Sequence, residues 1–369
     1  MRPFVYCFLC LFLGAHTVDG QQSLSEKRDS FLRIKSLVFP VAYYTPETNL
    51  ALGASALKLF NKPKEDSARF ISYLNASAVV TLREQFRFES NLILYSKGNK
   101  WNWITNFEYY YFPYNYYGLY NYRLVRTFED VSLKRFTLNN KIYRLLGENT
   151  FIGLENQFKS VWGFEYVENG MFYYEIAKNF DQASSLGLGG MFRFDSRDNN
   201  LIPREGIYFN VEYLHYMNHY ISNEGNSLTS FYNIFFDFRS YFKINDKVVN
   251  AFQFYADLNE GDVPFYKMAS IGNSRRMRGY YFGMMLDENL IMIQDEIRFP
   301  IYKRLQGAAF AGIGTMHSVL HLGKIFFFPN AGGGLRYIAD YDRGLCIRAD
   351  IGFGKKSTRG FYLTVSDAF

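Results

Sequence analysis

The sequence predicts an all-β fold: a transmembrane antiparallel β-barrel of about sixteen strands with an inward-folded loop. Three observations predict this fold. The chain opens with an export signal, no later run approaches the roughly eighteen apolar residues that a spanning helix needs, and 20% of the residues are aromatic. So high an aromatic fraction exceeds the needs of a soluble core, whereas a membrane barrel carries aromatic girdles at both interfaces.

The N-terminus predicts a secretory signal peptide over residues 1–20. Arg2 precedes a short apolar run, and small and polar residues follow that run up to Gly20. The run is too short to cross a membrane as a helix. We expect the mature chain to begin at Gln21, with cleavage after Ala15 as the alternative.

Behind the signal, the sequence predicts a short periplasmic tail at residues 21–35 and one barrel domain at residues 36–369. Cys346 is the only cysteine in this part, so no disulfide within the mature chain can hold the fold. The 41 basic and 35 acidic residues are spread along the chain and give a net charge of +6. Because no basic run is present, we expect no nucleic-acid partner.

The strands are predicted from the alternation of apolar residues with polar or small ones. In residues 345–354, this alternation places Ile347 and Ile351 on the outer face and Arg348 and Asp350 on the inner face. A soluble sandwich would have an apolar inner face, so inward charges favour a barrel with a polar lumen. The last strand repeats the pattern, and its predicted outward residues are Phe361, Leu363, Val365 and Phe369.

About sixteen segments follow this rule, and an even number of strands closes an antiparallel barrel without an unpaired edge. With this count, residues 258–287 form the sixth outer loop, and residues 197–204 fall on a periplasmic turn. The predicted strands lie near residues 36–45, 49–60, 69–82, 85–97, 101–112, 130–144, 149–163, 184–196, 205–219, 229–243, 247–257, 288–299, 305–316, 326–339, 344–354 and 360–369.

Four sequence marks occur in an order that resembles the BamA/TamA family of outer-membrane proteins, the bacterial surface antigen family. The resemblance is clearest from about residue 185 onward. The chain departs from the best-known members because residues 21–35 leave no room for periplasmic domains ahead of the barrel, and because Gly312 stands where the family often has Asp. The marks are the turn FDSRDNNLIPREG (194–206), the loop SRRMRGYY (274–281) with its following strand QDEIRFPI (294–301), the strands at 332–337 and 347–354, and the final strand ending in Phe369.

The resemblance implies that the sixth loop folds back into the barrel as an internal plug, with Arg278, Gly279 and Tyr280 at its tip. A guanidinium inside a lumen needs fixed carboxylate or carbonyl partners, because an unpaired buried charge costs several kcal/mol. The alternative is an exposed arginine in a mobile surface loop. The candidate lumen residues, led by the acidic position that the family uses, are Glu296, Arg298, Asp350 and Asp195.

Two further sites are expected outside the loop. A tight periplasmic turn, rather than a metal or catalytic cluster, explains Asp195, Arg197, Pro203 and Gly206, because Asp caps turns, Pro presets φ and Gly adopts conformations that other residues avoid. The resemblance also implies that Phe369 closes the barrel and is the terminal-strand signal that the assembly machinery recognises.

We expect no enzyme, no metal site and no cofactor. Four of the five histidines lie in the predicted barrel, at His215, His219, His317 and His321; they have no acidic partner at a recognisable spacing, and no Gly-x-Ser-x-Gly elbow is present. The run from Tyr109 to Tyr117 has the composition of a carbohydrate or base-stacking surface. Its position at a strand end instead favours an interfacial girdle.

The resemblance implies an integral outer-membrane barrel of a Gram-negative bacterium that acts in membrane-protein insertion or protein translocation, through a weakly paired seam between its first and last strands. The expected partners are outer-membrane lipid and lipopolysaccharide, the barrel assembly machinery that inserts the chain, and client outer-membrane or secreted proteins. Two alternatives stay open: a passive channel or structural barrel, and a membrane partner of a separately encoded protein.

Overall fold

The computed structural model describes residues 36–46, 48–60, 72–124, 127–199, 202–222, 225–317, 326–340, 345–365 and 368–369. The predicted signal peptide (1–20) and tail (21–35) lie outside the described residues, as do His321 and residues 366–367 of the predicted last strand.

Sixteen long strands form a single antiparallel sheet in which each strand pairs with its neighbours in the chain. The first and last strands also pair, so the sheet closes into a barrel and the predicted fold is confirmed. The strands are β1 (Ser36–Thr45), β2 (Asn49–Leu59), β3 (Tyr73–Thr81), β4 (Phe86–Tyr95), β5 (Trp101–Tyr111), β6 (Glu129–Leu145), β7 (Thr150–Glu165), β8 (Gln182–Asp195), β9 (Gly206–Ser222), β10 (Gly225–Lys243), β11 (Val249–Gly261), β12 (Asn289–Tyr302), β13 (Leu305–His317), β14 (Phe326–Asp340), β15 (Leu345–Gly354) and β16 (Arg359–Val365).

The remaining elements are short and lie in the connections. Tyr114–Tyr116 adds a short strand to β6, and Ala269–Ser270 pairs with Leu286–Asp287. No helix in the described residues is long and apolar enough to cross a membrane. The helical turns are Lys97–Asn99, Tyr173–Ala177, Phe265–Lys267 and Lys355–Ser357.

The two faces of the wall have opposite chemistry, as predicted. On β15, Ile347 and Ile351 are 37% and 46% exposed on the outer face, while Arg348 and Asp350 are buried on the inner face. The outer face is mainly apolar because strand side chains alternate, and every second residue faces lipid. Most polar side chains are therefore collected in the lumen.

One part of the lumen wall carries a continuous row of amide side chains. Five residues on β3 to β7 lie directly opposite one another across neighbouring strands, and the row ends beside Gly187 on β8. Such a wall is suited to water, because each amide offers both donors and an acceptor. The row consists of Asn75, Asn91, Asn106, Asn139 and Gln157.

Three long connections, residues 112–128, 166–181 and 262–288, lie at the same end of the barrel, which we call the loop end. The Glu175 carboxylate ties the first two together, because it accepts hydrogen bonds from the Tyr116 hydroxyl (2.5 Å) and the Leu119 N–H (2.9 Å). Tyr116 and Phe172 pack edge to face with ring centroids 5.0 Å apart. Phe265 of the third connection joins the same apolar cluster.

One strand prediction and the predicted girdle are wrong in detail. Residues 220–222 and 225–228, which fall between two predicted strands, are strand, because β9 and β10 stay in register up to Ser222 and Gly225. Antiparallel pairing continues to satisfy the backbone groups of both strands almost to the tip. The predicted aromatic girdle is also incomplete, because Tyr110 faces the lumen, where the guanidinium carbons of Arg87 and Arg135 lie 4.9 and 4.4 Å from its ring centroid.

The prediction that Phe369 faces outward is wrong. The last strand ends at Val365, and Phe369 is buried in the lumen beside Tyr241 and Ala251. The backbone oxygen of Phe369 accepts a hydrogen bond of 3.0 Å from Arg298 on the inner face of β12. This charge-assisted bond and the apolar contact together stabilise the inward position.

The opposite chemistry of the two faces predicts a difference between adjacent substitutions on β3. We expect Ala78→Lys to cost roughly 2–4 kcal/mol of unfolding free energy, because Ala78 is exposed on the outer face near the middle of the strand. Ser77→Lys should cost much less, because Ser77 faces the lumen and bonds to Glu89 (3.0 Å). Urea titrations in lipid vesicles measure both, and an equal or larger loss for Ser77→Lys would contradict the assignment of faces.

Candidate functional site

The loop between β11 and β12, residues 262–288, reverses direction inside the barrel through a tight turn. The Asn273 side-chain oxygen accepts the N–H groups of Arg275 and Arg276, both at 2.8 Å, and the Asn273 N–H donates to the Arg276 oxygen at 2.9 Å. Asn forms such turns readily because its side chain imitates a backbone carbonyl. This turn places Arg278 beside the inner face of β12 to β15.

Two glycines allow the loop to touch the wall backbone to backbone. Gly279 has φ +114°, and a Cβ there would lie 2.8 Å from the backbone of Phe353. On the opposite side of the contact, a Cβ at Gly352 would lie 2.5 Å from the Arg278 carbonyl. Both residues must therefore be glycine for the tip to reach this depth.

Arg278 is fully buried and pairs with two carboxylates of the lumen wall. Its Nη2 lies 2.7 Å from Glu296 Oε2 on β12, and its Nη1 lies 2.5 Å from Asp350 Oδ2 on β15. The face of its guanidinium lies over the Phe310 ring at 3.5 Å. The structure therefore places the predicted tip residue on both Glu296 and Asp350.

Each carboxylate is shared by three arginines. Glu296 also pairs with Arg298 (2.9 Å) and Arg336 (3.0 Å), and Asp350 also pairs with Arg336 (2.5 Å) and Arg348 (2.8 Å). Because four guanidinium groups surround two carboxylates, the cluster depends on carbonyl oxygens for its remaining acceptors. Arg348 Nη2, for example, donates to the Ser274 oxygen at 2.8 Å.

Arg298 connects this cluster to two other parts of the chain. Its Nη1 donates to the Pro203 oxygen (3.1 Å) in the turn between β8 and β9, and its Nη2 donates to the Phe369 oxygen (3.0 Å). Its Nε donates to Glu296 (2.9 Å). One buried side chain thus joins the loop anchor, the turn and residue 369.

Asp195 does not join the loop anchor as one of the expected partners of Arg278. Its carboxylate forms a two-pronged pair with Arg197, with both contacts at 2.8 Å. The Asp198 side chain accepts the Arg204 N–H at 2.9 Å, and Gly206 has φ +108°. These residues therefore form the predicted turn, in which the Asp195 carboxylate pairs with the guanidinium of Arg197.

The tip is fastened further by hydroxyl and amide groups. The Tyr280 hydroxyl donates to the Pro329 oxygen (2.7 Å) and accepts the Lys355 N–H (2.8 Å). The Tyr362 hydroxyl accepts the Gly279 N–H at 3.1 Å. These bonds connect the loop directly to β14 and β16, so the plug touches the last strand of the barrel.

A second attachment fixes the other arm of the loop to β7, β8 and β9. Lys267 Nζ donates to Gln157 (2.6 Å) and to the Tyr216 hydroxyl (2.8 Å), while the Tyr266 and Ser185 hydroxyls are 2.8 Å apart. Burial lowers the pKa of Lys267 to about 8, although carboxylates such as Asp257 oppose the shift. The loop is therefore held on both sides of the lumen.

Among the described residues, the seam between β1 and β16 has fewer residue pairs than any other junction between the sixteen strands. In the described residues, Tyr44 and Leu363 are the single residue pair that joins these strands, whereas β15 pairs with β16 along its whole length from Arg359 to Val365. The Tyr44 and Phe361 rings lie 5.8 Å apart across the seam. The weakly paired seam that the resemblance implies stays a prediction.

Several residues of the site were missed at the level of sequence. Arg336 shares the inner parity of Gly332 and Gly334, which signals that it faces the lumen, but parity does not give its height in the barrel. Phe310 and Tyr362 carry no signal, because an aromatic residue on a barrel strand resembles any girdle residue. The Pro203 carbonyl has no side-chain signature at all.

Comparisons with known proteins give structural matches alone. No protein-family model matches the sequence, and no curated protein matches it. BamA from Haemophilus ducreyi lacking POTRA domains 1–3 has a TM-score of 0.60 and 13% identity, over 90% of this chain and 70% of that chain. The chain has the BamA barrel fold. At this identity the likeness extends to the fold, which confirms the fold that the sequence marks implied.

CdiB structures give similar matches to the same fold. CdiB from Acinetobacter baumannii has a TM-score of 0.55 and 12% identity, over 90% of this chain and 59% of that chain. CdiB from Escherichia coli has a TM-score of 0.56 and 10% identity, over 89% of this chain and 62% of that chain. The chain therefore spans less than two thirds of both CdiB chains.

The shared carboxylate predicts strong coupling between Arg278 and Glu296. Each of Arg278→Ala and Glu296→Gln should cost roughly 3–5 kcal/mol of unfolding free energy, because each leaves buried charges without a partner. The double variant should cost clearly less than the sum, because both changes disrupt one cluster. Denaturant titrations in vesicles measure all three, and full additivity would contradict the shared cluster.

A matched control is available in the same lumen. Arg87 pairs with Glu108 at 3.5 Å and belongs to a separate ion cluster on β4 and β5. Arg87→Ala combined with Glu296→Gln should therefore give additive losses.

The depressed pKa of Lys267 predicts that loop docking tightens as the pH rises from 8 toward 10.5. In this window the undocked loop binds more protons than the docked loop, so raising the pH favours docking; below pH 8 the effect is flat. Amide hydrogen exchange of residues 265–280, corrected for intrinsic rates, measures the docking of the loop. Lys267→Met should remove the pH dependence of docking. If the pH dependence persists in this variant, another group causes it.

Proposed function

We propose that this chain is an outer-membrane barrel of the BamA/TamA type that inserts or translocates protein at the seam between β1 and β16. The observation that carries the proposal is the single residue pair, Tyr44 with Leu363, that joins these strands in the described residues. A strand edge with unpaired N–H and C=O groups is a template for an incoming strand. The BamA-like fold supports this assignment as an analogy.

The loop anchor supports the same function by keeping the rest of the wall rigid. The ion cluster ties the loop to β12, β14 and β15, and Tyr362 ties it to β16. Among the described residues, no residue of β1 takes part in these contacts of the anchor. The seam therefore opens by movement of β1 while β16 is held, which presents one fixed edge to a client strand.

A passive channel is the second candidate function. The row of amides on β3 to β7 favours it, because the side-chain oxygens of Asn91 and Asn139 are buried without a partner in the described residues and so call for water. A hydrated lumen beside the plug would conduct small ions. It would do so with the seam closed.

A disulfide across the seam distinguishes the two functions. With Cys346 replaced by Ala, Tyr44→Cys and Leu363→Cys are combined to lock β1 to β16. The matched control combines the same Leu363→Cys with Ala349→Cys, which lies opposite Leu363 within the intact wall. Both proteins are reconstituted in vesicles, and an unfolded outer-membrane protein is added.

We expect the oxidised seam variant to lose insertion of the added protein, measured as its protease-resistant folded fraction, and to recover it on reduction. The control should insert equally well in both states. Insertion that continues through the locked seam overturns the proposal. Steady conductance in planar bilayers, unaffected by the seam disulfide and without any insertion by the unlocked protein, would instead support the channel.

A further inference from the structure

The outer face of β5 to β7 carries a row of polar side chains where a lipid-facing wall should be apolar. Thr105 Oγ1 donates to Asn140 Oδ1 at 2.8 Å, and Asn140 Nδ2 donates to Asn156 Oδ1 at 3.0 Å. The three residues lie directly opposite one another on neighbouring strands. We call Thr105, Asn140 and Asn156 the outer polar row.

The outer polar row lies in the middle of the apolar belt. On the same face of β6, Lys134 and Arg144 mark the two ends of the lipid-facing stretch, and Asn140 lies between them. The neighbouring row on the side of the short turns is apolar and exposed, and its residue Leu154 is 71% exposed. The flanking rows are Trp103, Ile142 and Leu154 on one side and Phe107, Leu138 and Phe158 on the other.

Along the outer polar row, Thr105 donates to Asn140 and Asn140 donates to Asn156, so the last residue of the row accepts a bond and donates none to it. In the described part of the chain, no hydrogen bond is found for the Asn156 Nδ2, and this residue is exposed. Hydrocarbon offers an amide N–H no acceptor, so leaving it there costs several kcal/mol. A polar partner within the membrane removes this cost.

We propose that the outer polar row docks a second copy of this chain in a two-fold dimer. Two copies inserted in the same direction are related by an axis along the membrane normal, so equal heights meet and β5 faces β7 of the partner subunit. Because barrel strands are tilted by roughly 35–45°, the row runs obliquely and its two ends lie at different heights. The middle residue, Asn140, therefore meets its own copy at the axis, where each side-chain amide can donate its second N–H to the Oδ1 of the other. Asn156 lies one strand away from this pair.

The chemistry of the row favours an identical partner over a different one. The row is uncharged and carries both donors and acceptors, so it complements itself without like-charge repulsion. The other polar pair on the outer face differs in this respect: Asn250 Nδ2 donates to Asp295 Oδ1 at 2.8 Å, and two such sites would oppose two carboxylates. Asp295 therefore provides a comparison site on the far wall.

Cysteine cross-linking in the membrane tests the dimer. In full-length protein with Cys346 replaced by Ala, Leu138→Cys places a thiol on the outer face of β6 beside the proposed axis. Ile293→Cys places one on the outer face of β12 as the control. A short bismaleimide should give a dimer band of twice the mass with Leu138→Cys and none above background with Ile293→Cys.

Changing the row should then abolish the dimer without unfolding the barrel. Adding Asn140→Leu and Asn156→Leu to Leu138→Cys should lower the dimer yield about tenfold, the shift that corresponds to about 1.4 kcal/mol. Asn156→Gln keeps the donor and should keep most of the yield. Heat-modifiable gel mobility shows that each barrel is folded.

Three outcomes overturn the proposal. The first is equal cross-linking of Leu138→Cys with and without the two leucine changes. The second is loss of the dimer by Asp295→Leu instead. The third is an adduct of Leu138→Cys whose mass shows a different protein or a lipid rather than this chain.

Discussion

Two carboxylates inside the lumen, Glu296 and Asp350, are the groups on which the interior depends. Each is buried, and each accepts hydrogen bonds from three arginines, so these two carboxylates together offset two of the four positive charges of Arg278, Arg298, Arg336 and Arg348. A buried ion pair is weak evidence for stability by itself, because desolvation offsets its attraction. Here its effect is positional: the guanidinium forks fix the depth and orientation of the loop tip relative to β12, β14 and β15.

The wall and the interior satisfy their polar groups by different means. In the wall, backbone groups pair between strands and leave apolar side chains toward lipid, so closure removes every edge except the seam. In the interior, side chains supply the bonds, and the loop adds backbone contacts at Gly279 and Gly352 where no side chain fits. Because the plug is fastened to β16 through Tyr362 and not to β1 in these contacts, rigidity is distributed unevenly around the barrel.

Alternation was enough to predict the number of strands, their faces and the inward direction of Glu296 and Asp350, because a period of two decides which side of a wall each residue occupies. Alternation does not give the height of a residue in the barrel. Asp195 was therefore included among the expected partners of Arg278 although it pairs with Arg197, and Arg336 was missed. The prediction also assumed that the last strand continues to Phe369, whereas the chain leaves the wall and buries this ring against Tyr241 and Ala251. Backbone acceptors such as the Pro203 carbonyl have no residue type to reveal them.

The contacts of Arg298 also bear on the order in which the barrel folds. They join residues separated by 95 positions toward Pro203 and by 71 positions toward Phe369, so neither contact can form by local search along the chain. Closing such long loops costs entropy that is recovered only when the intervening strands are already paired. We therefore expect the interior to be completed after the hairpins from β8 to β16 have assembled, so that an immature barrel has a wall in this region before it has a fixed plug.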